Sequence, residues 1–446
     1  MRHRSDLGSC VFLLLGVAAV GGLFPPAGGA QEGSPAGPVP PETLAARRAR
    51  LLDALDGRLA LIGADWLRDI EREYPQDSDF RQDADFFYLT GLEEPEAWLV
   101  LNAGRPGAVV LYLLPRDSMN ETWTGKRLGP GPEARRLSGI EDVREVRRLD
   151  ADLDGWLTGG DVVLSLGDPR NREVLEPRLS AARVRTVSAA PLLAALRLIK
   201  DEEELRRLRR AIDITMEAQR EAWRVVEPGM YEYEVEAAIE YVFRVQGAER
   251  VGFPSIVGSG PNTTTLHYDE NRRRAQAGDL LLTDVGAEFG YYTADITRTV
   301  PVNGTFTPRQ SALYELVLGA QGAALAEVRP GSNIGAAHQA AVRHLDAHSG
   351  DLCGSRSCSA YFVHGLSHWL GMDVHDVGGM LTPFAPGMVL TVEPGVYLES
   401  EGLGIRIEDD VLVTADGYEL LSAALPREPD EIEAMMREEP RWVRPR

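Results

Sequence analysis

Apolar and polar positions divide this chain into two unlike parts. Between residues 56 and 190, short apolar runs at 59–62, 98–102, 108–114 and 162–166 alternate with turns and helical stretches. That pattern predicts strands of a mixed α/β domain. An Arg-rich helical pattern at 44–55 precedes it. Over 201–226, Leu205, Leu208, Ile212, Met216, Trp223 and Val226 recur at helical spacing. Asp201 with Glu204 reads as a capping box, and Pro228-Gly229 ends the helix. The expected organisation is a Gly- and Pro-rich solvated linker at 31–42, an N-terminal domain at 43–195, a second domain at 196–438 and a short tail at 439–446.

The second domain repeats itself. A helix, EPGM (227–230) and a helix to Phe243 are followed by a helix at 311–328, RPGS (329–332) and a helical run to Leu345. AGDLLLTDVG (277–286) then matches PGMVLTVEPG (386–395). Gly278 stands six positions before Asp284 and Gly286 two after; Gly387 and Gly395 stand likewise around Glu393. Two copies of about 100 residues predict a duplicated half-domain, not a solenoid. Its halves would face each other across one cleft, each supplying a carboxylate.

At 446 residues, with 44% hydrophobic and 26% charged residues, the chain has material for two or three globular domains. A net charge of −21 argues against nucleic-acid and anionic-membrane partners, which need a basic face. The N-terminus reads as an export signal, residues 1–30: Arg2, His3 and Arg4, an apolar run at 11–24 interrupted by glycines, and Gly28 and Ala30 suited to cleavage before Gln31. The expected location is therefore periplasmic or secreted, with no stable membrane span after cleavage; an uncleaved anchor is the alternative. Cys353 and Cys358, with four residues between them, suit either a small disulfide loop or two free thiols.

Four acids stand in or beside apolar strand patterns: Asp284 in LLLTDVG, Asp295 in YYTADITRTV, Glu393 in VLTVEPG and Glu408 in GIRIEDDVLV. Burying an acid is costly unless it is paired, hydrogen-bonded or on a metal. A single acid would read as a solvated strand end; four, two of them matched across a repeat, do not. HGLSHWLGMDVHD (364–376) adds His364, His368 and His375, three of the eight histidines. Gly365 occupies the place of the Glu in the zinc-protease H-E-x-x-H motif, so that motif is excluded. His267 in GSGPNTTTLHYDEN is a fourth candidate. Four carboxylates and an imidazole form a mainly hard-oxygen set, suited to two divalent ions, Mn²⁺ first, with Zn²⁺, Co²⁺ or Fe²⁺ as alternatives. Two such ions can share and activate a water, leaving the other histidines to handle protons and an oxyanion. There is no G-x-S-x-G elbow and no Walker loop.

These residues resemble the pita-bread metallopeptidases and, within them, the Xaa-Pro aminopeptidase (aminopeptidase P) family. The resemblance rests on LHYDEN, DITRTVPVNG, HGLSHWLGMDVHDVG, GMVLTVEPGVY and GIRIEDD, with FRQDADFFYLTGLEEPEAWLVL (80–101) and TWTGKRLG (122–129) in the first domain. It implies an N-terminal α/β domain followed by a pita-bread α+β catalytic domain. It implies Asp284, Asp295, His368, Glu393 and Glu408 as ligands of two divalent ions, with Glu393 also the general base. It places His364 and His375 at the peptide carbonyl, His267 at the proline pocket and the departing nitrogen, and Arg406 behind the carboxylates. Tyr292 and Tyr397 suit the core as well as the site. The implied reaction removes the N-terminal residue from peptides with proline second, in a homo-oligomer that binds no nucleic acid. Alternatives are a prolidase acting on Xaa-Pro dipeptides, or a non-catalytic pita-bread peptide binder.

Overall fold

The computed structural model describes residues 34–67, 80–105 and 109–443. The expected signal, residues 1–30, lies outside the described residues, as do linker residues 31–33.

The four apolar runs of the first domain become Leu59–Gly63, Trp98–Asn102, Val109–Leu113 and Asp161–Ser165. They form the middle of a six-stranded sheet whose edges are Asp142–Glu145 and Arg185–Ser188. Leu59–Gly63 pairs antiparallel with Trp98–Asn102 and parallel with Asp161–Ser165, so the sheet is mixed. Successive side chains point to opposite faces. Ala60, Ile62, Leu99, Leu101, Leu111 and Leu113 accordingly enter one core, with the helices Pro41–Leu55 and Ala84–Thr90. Leu59, Leu61, Trp98, Val100, Val110 and Tyr112 enter another, with Leu149, Leu153, Leu175 and Leu179 from the helices Leu149–Trp156 and Arg170–Ala182. Both faces are covered, which is why these strands read as continuous apolar runs. The edge strands carry too little apolar character to be seen in the sequence.

One organisational expectation needs correction. The described part of the linker is only partly solvated: Ala36 and Val39 are buried, and Gly37 O accepts from Arg207 Nη2 at 2.9 Å. Proline and glycine there serve a path pinned to the second domain's first helix. The boundary drawn at 196 falls in the last turn of the helix Ala190–Arg197; the break between helices is at 198–201. The tail is also held, since Arg441, Trp442 and Val443 donate backbone N–H groups to Glu221.

The second domain is built twice. The helices Glu202–Val225 and Glu232–Val245 precede the strands Ile256–Ser259, Leu280–Val285 and Ile296–Pro301. The helices Pro308–Leu325 and Ile334–His348 precede Val389–Val392, Asp409–Val413 and Tyr418–Leu420. The capping box forms as read: Asp201 Oδ1 accepts from Glu204 N at 2.9 Å, and Asp201 N donates to Glu204 Oε2 at 3.0 Å. In each half two antiparallel strands carry the acids. Leu280–Val285 pairs with Ile296–Pro301, and Val389–Val392 with Asp409–Val413. A buried glutamine on the first helix of each half ties its pair: Gln219 Nε2 donates to Thr283 O and Ile296 O, and Gln321 Nε2 to Val392 O and Ile407 O. The halves are joined by Glu408 N to Thr297 O at 3.0 Å and by Thr299 Oγ1 to Arg406 O at 3.0 Å. The result is an α/β domain followed by a duplicated domain, as the repeat predicts. Cys353 and Cys358 form a disulfide beside the helix Ile334–His348. Among the described residues no helix is long and apolar enough to cross a membrane.

Candidate active site

The duplication fixes where the acids stand. Asp284 lies in the strand Leu280–Val285, and Asp295 immediately precedes Ile296–Pro301. Glu393 immediately follows Val389–Val392, and Glu408 immediately precedes Asp409–Val413. Segment 366–370 runs alongside the second pair: Glu393 N donates to Leu366 O, Thr391 N to His368 O and Leu370 N to Val389 O. That backbone ladder delivers His368 between the carboxylates.

All nine residues singled out in the sequence line one cleft of about 490 Å³: His267, Asp284, Asp295, His364, His368, His375, Glu393, Arg406 and Glu408. Asp295, His368 and Glu408 offer ligand atoms within 4.8 Å of one another. His368 Nδ1 lies 3.1 Å from Trp369 O, so Nδ1 carries a proton and Nε2 is turned to the acids. Nε2 lies 3.2 Å from Asp295 Oδ2 and 3.6 Å from Glu393 Oε1. Ligand atoms converging in this way need a proton or a metal cation among them. Asp284 Oδ1 and Asp295 Oδ1 are buried without a hydrogen-bond partner. The donor set therefore fits divalent metal.

Electrostatics agree with the geometry. Burial, then the neighbouring acids Asp284, Asp410 and Glu393, push the Asp295 carboxyl well above the usual carboxylate range. Burial, then Asp295 and Glu393, does the same to Glu408. Glu393 is pushed up to about 7 by burial, with His368 and Arg406 opposing. Arg406 is buried and donates Nη2 to Asp284 Oδ2 at 2.6 Å, Nε to Thr297 Oγ1 at 3.1 Å and Nη1 to the Tyr397 hydroxyl at 3.0 Å. Tyr397 OH lies 2.8 Å from His364 Nε2, and His364 Nδ1 lies 2.7 Å from Gly365 O. The proton on Nδ1 leaves Nε2 to accept from Tyr397. Burial, then the nearby Arg406 charge, lowers His364 to about 4, so it is neutral near pH 7. His375 stacks edge-on against His368, ring centres 4.2 Å apart; burial and the neighbouring imidazoles lower its pKa.

Residues 206–415 match Metallopeptidase family M24, and residues 44–164 match Aminopeptidase P, N-terminal domain. Xaa-Pro aminopeptidase of Escherichia coli K12 is 38% identical over 429 residues, covering 87% of this chain and 96% of that protein. The chain belongs to the Xaa-Pro aminopeptidase family. The solved aminopeptidase PepP of Pseudomonas aeruginosa matches with a TM-score of 0.84 at 36% identity, covering 90% of this chain and 98% of that one. E. coli aminopeptidase P with the inhibitor Pro-Leu matches with a TM-score of 0.83 at 35% identity, over 90% and 98%. The chain is thus a metallo-aminopeptidase.

Some of the aminopeptidase site was missed in the sequence. Thr297 Oγ1 donates to Glu408 Oε2 at 2.5 Å, and Thr391 Oγ1 to Glu393 Oε1 at 3.4 Å. A signal existed, because Thr297 stands two residues after Asp295 and Thr391 two before Glu393, a same-face spacing on a strand. Phe253, Pro254, Ile256, Leu266 and Val374 form an apolar wall with no such signal. Tyr397 belongs to the site. Tyr292 does not: it is buried in the N-terminal core with its hydroxyl 3.1 Å from Glu204.

Proposed function

We propose that the enzyme removes the N-terminal residue from peptides whose second residue is proline, using two divalent ions, Mn²⁺ first, held by Asp284, Asp295, His368, Glu393 and Glu408. The observation that carries this reading is His368 Nε2 turned on Asp295 and Glu393, beside two buried carboxylate oxygens without partners. The metal supplies Lewis acidity toward the scissile carbonyl and toward water. Glu393 accepts the proton of the attacking water. His364, its Nδ1–H held by Gly365 O, and His375 orient the peptide carbonyl and stabilise its developing negative charge. His267 assists the departing nitrogen, and Arg406 fixes Asp284.

The bond before proline has a tertiary nitrogen with no N–H, so strand-like substrate recognition is lost there. The apolar wall of Phe253, Pro254, Ile256 and Leu266 suits a pyrrolidine ring. The dipeptide Pro-Leu, an inhibitor of the E. coli relative, has the form of the product left after this cleavage. Residues 1–30 would export the chain, and the mature enzyme would be a homo-oligomer.

Mass spectrometry of products from Ala-Pro-Ala, Ala-Pro and Ala-Ala-Ala, with Mn²⁺ and with chelator, tests the activity. Chelator-sensitive release of Ala from Ala-Pro-Ala alone is expected. Cleavage of Ala-Pro alone would make it a prolidase, and no cleavage would return the peptide-binding reading. N-terminal sequencing of the exported protein should begin at Gln31, and light scattering should give a multiple of the chain mass.

A further inference from the structure

His375 stands on a segment, 371–376, that belongs to no helix or strand. It has open space on two sides. Val374 and His375 line the catalytic cleft, and the same two residues line a second cavity of about 360 Å³ that also includes Arg81, Arg250, Glu288, Met372 and Asp373. Core packing on those two sides does not set where the imidazole lies.

Cations from the N-terminal domain, Arg81 and Arg197, and from the break after it, Lys200, hold the segment instead. Arg197, at the end of the helix Ala190–Arg197, is buried. Its Nη2 donates to Asp376 Oδ1 at 2.6 Å and to Asp373 Oδ2 at 2.8 Å. Its Nη1 donates to Asp85 Oδ1, in the N-terminal helix Ala84–Thr90, at 2.8 Å. Lys200 Nζ donates to the other oxygen, Asp376 Oδ2, at 2.8 Å and to Arg197 O at 2.8 Å. Arg81, from the N-terminal domain, donates to Met372 O at 2.5 Å and lies 3.6 Å from Asp373. Leu370 and Met372 pack into the N-terminal core. The fit is close: a Cβ on Gly371 would meet Asp376 Oδ2 at 2.0 Å.

Asp373 and Asp376 flank His375 on both sides, and both are tied to Arg197. We propose that the N-terminal domain, through Arg197 and Arg81 and with Lys200 of the break that follows it, acting on Asp373 and Asp376, is the positioning device for His375. It sets the reach of that imidazole to the substrate carbonyl across a segment that otherwise has room to move. The proposal rests on the reading that His375 contacts the substrate. It gives the first domain a part in turnover even though the described cleft is lined by second-domain residues.

A double-variant cycle on the full chain tests this, with kcat, KM, metal content and melting temperature measured for each variant. Asp376→Asn keeps shape and removes the charge shared by Arg197 and Lys200. Arg81→Gln removes the half-buried tether, leaving Glu288 paired with Arg250 at 2.6 Å. Each should lower kcat about tenfold or more while KM stays within about twofold, because misplacing a catalytic group costs rate without weakening ground-state binding. Metal content should be unchanged. Combined with His375→Ala, neither should slow turnover further, since both act through the same imidazole. If Asp376→Asn fails to fold, Arg81→Gln decides. Unchanged kcat in a folded tether variant, or losses that multiply in full with His375→Ala, would overturn the tether while leaving the catalytic reading intact. An unchanged kcat in His375→Ala would overturn the reading of His375 and the tether with it.

Discussion

Asp295 is one of the two most electrostatically burdened carboxyls of the site, with Glu408. It is buried, one oxygen lacks a partner, and three acids raise its pKa further. Its backbone N–H is engaged by Asp410 Oδ2 at 3.2 Å, so the strand end is fixed and the free oxygen points inward. Asp295→Asn keeps the shape and removes the charge. Metal content should drop with it, and turnover should fall about a hundredfold or more, as expected when the charge that holds a catalytic cation is removed. Elemental analysis beside kinetics checks both; full metal occupancy in the variant would remove Asp295 from the ligand set. At this scale the sequence was informative for the costly residues. A charged group in an apolar strand contradicts its surroundings, and the contradiction marked all four acids. Thr297 and Thr391 contradict nothing, since threonine is an ordinary strand residue, so their hydroxyl contacts needed the structure.

The acid-bearing strand pairs depend on a residue type that pattern reading passes over. Gln219 sits inside an amphipathic helix, yet its Nε2 satisfies Thr283 O and Ile296 O, and its Oε1 accepts from Thr283 Oγ1 at 2.6 Å. Gln219→Leu would strand these groups in the core, at about 1–3 kcal/mol each before relaxation. A loss of about 3 kcal/mol is expected, with a melting temperature lower by about 10 °C; a loss under ~0.5 kcal/mol would show the strands do not need the tie. Helix and strand periods, the capping box and the internal repeat were legible because each is a local rule. The burial of Ala36 and Val39 was not, because proline and glycine there read as linker and only contact with Arg206 and Arg207 reverses that. The cysteine spacing left two states open. The bridge closes a loop with a sequence separation of 5. Chain-entropy arguments give such a loop about 2 kcal/mol. Cys353→Ser/Cys358→Ser should lose that amount in denaturant titration, and Cys353 and Cys358 should resist thiol labelling in the unreduced native protein.

Across the whole molecule, folding concentrates negative charge in one place and leaves the cation to make it tolerable. Without metal, Asp295 and Glu408 bind protons well above the usual carboxylate range, and Glu393 up to about 7. Their unfolded counterparts release protons near the ordinary value of about 4. Between those limits the folded chain holds more protons than the unfolded one, so metal-free stability falls as pH rises. Asp83 and Glu204, each pushed to about 7 by burial, add to the slope but stand outside the metal set. A divalent ion replaces the protons at the cleft alone and should remove only that part of the slope. Metal binding to the folded state also competes with those protons, so it strengthens as they leave. The chelated enzyme should therefore melt at a lower temperature at pH 8 than at pH 5. Added Mn²⁺ should raise the melting temperature more at pH 8 than at pH 5, and Asp295→Asn should shrink that difference. A Mn²⁺ increment that did not change with pH would mean that the carboxylates are already ionised without metal. The cleft would then owe its stability to Arg406 and the flanking threonines.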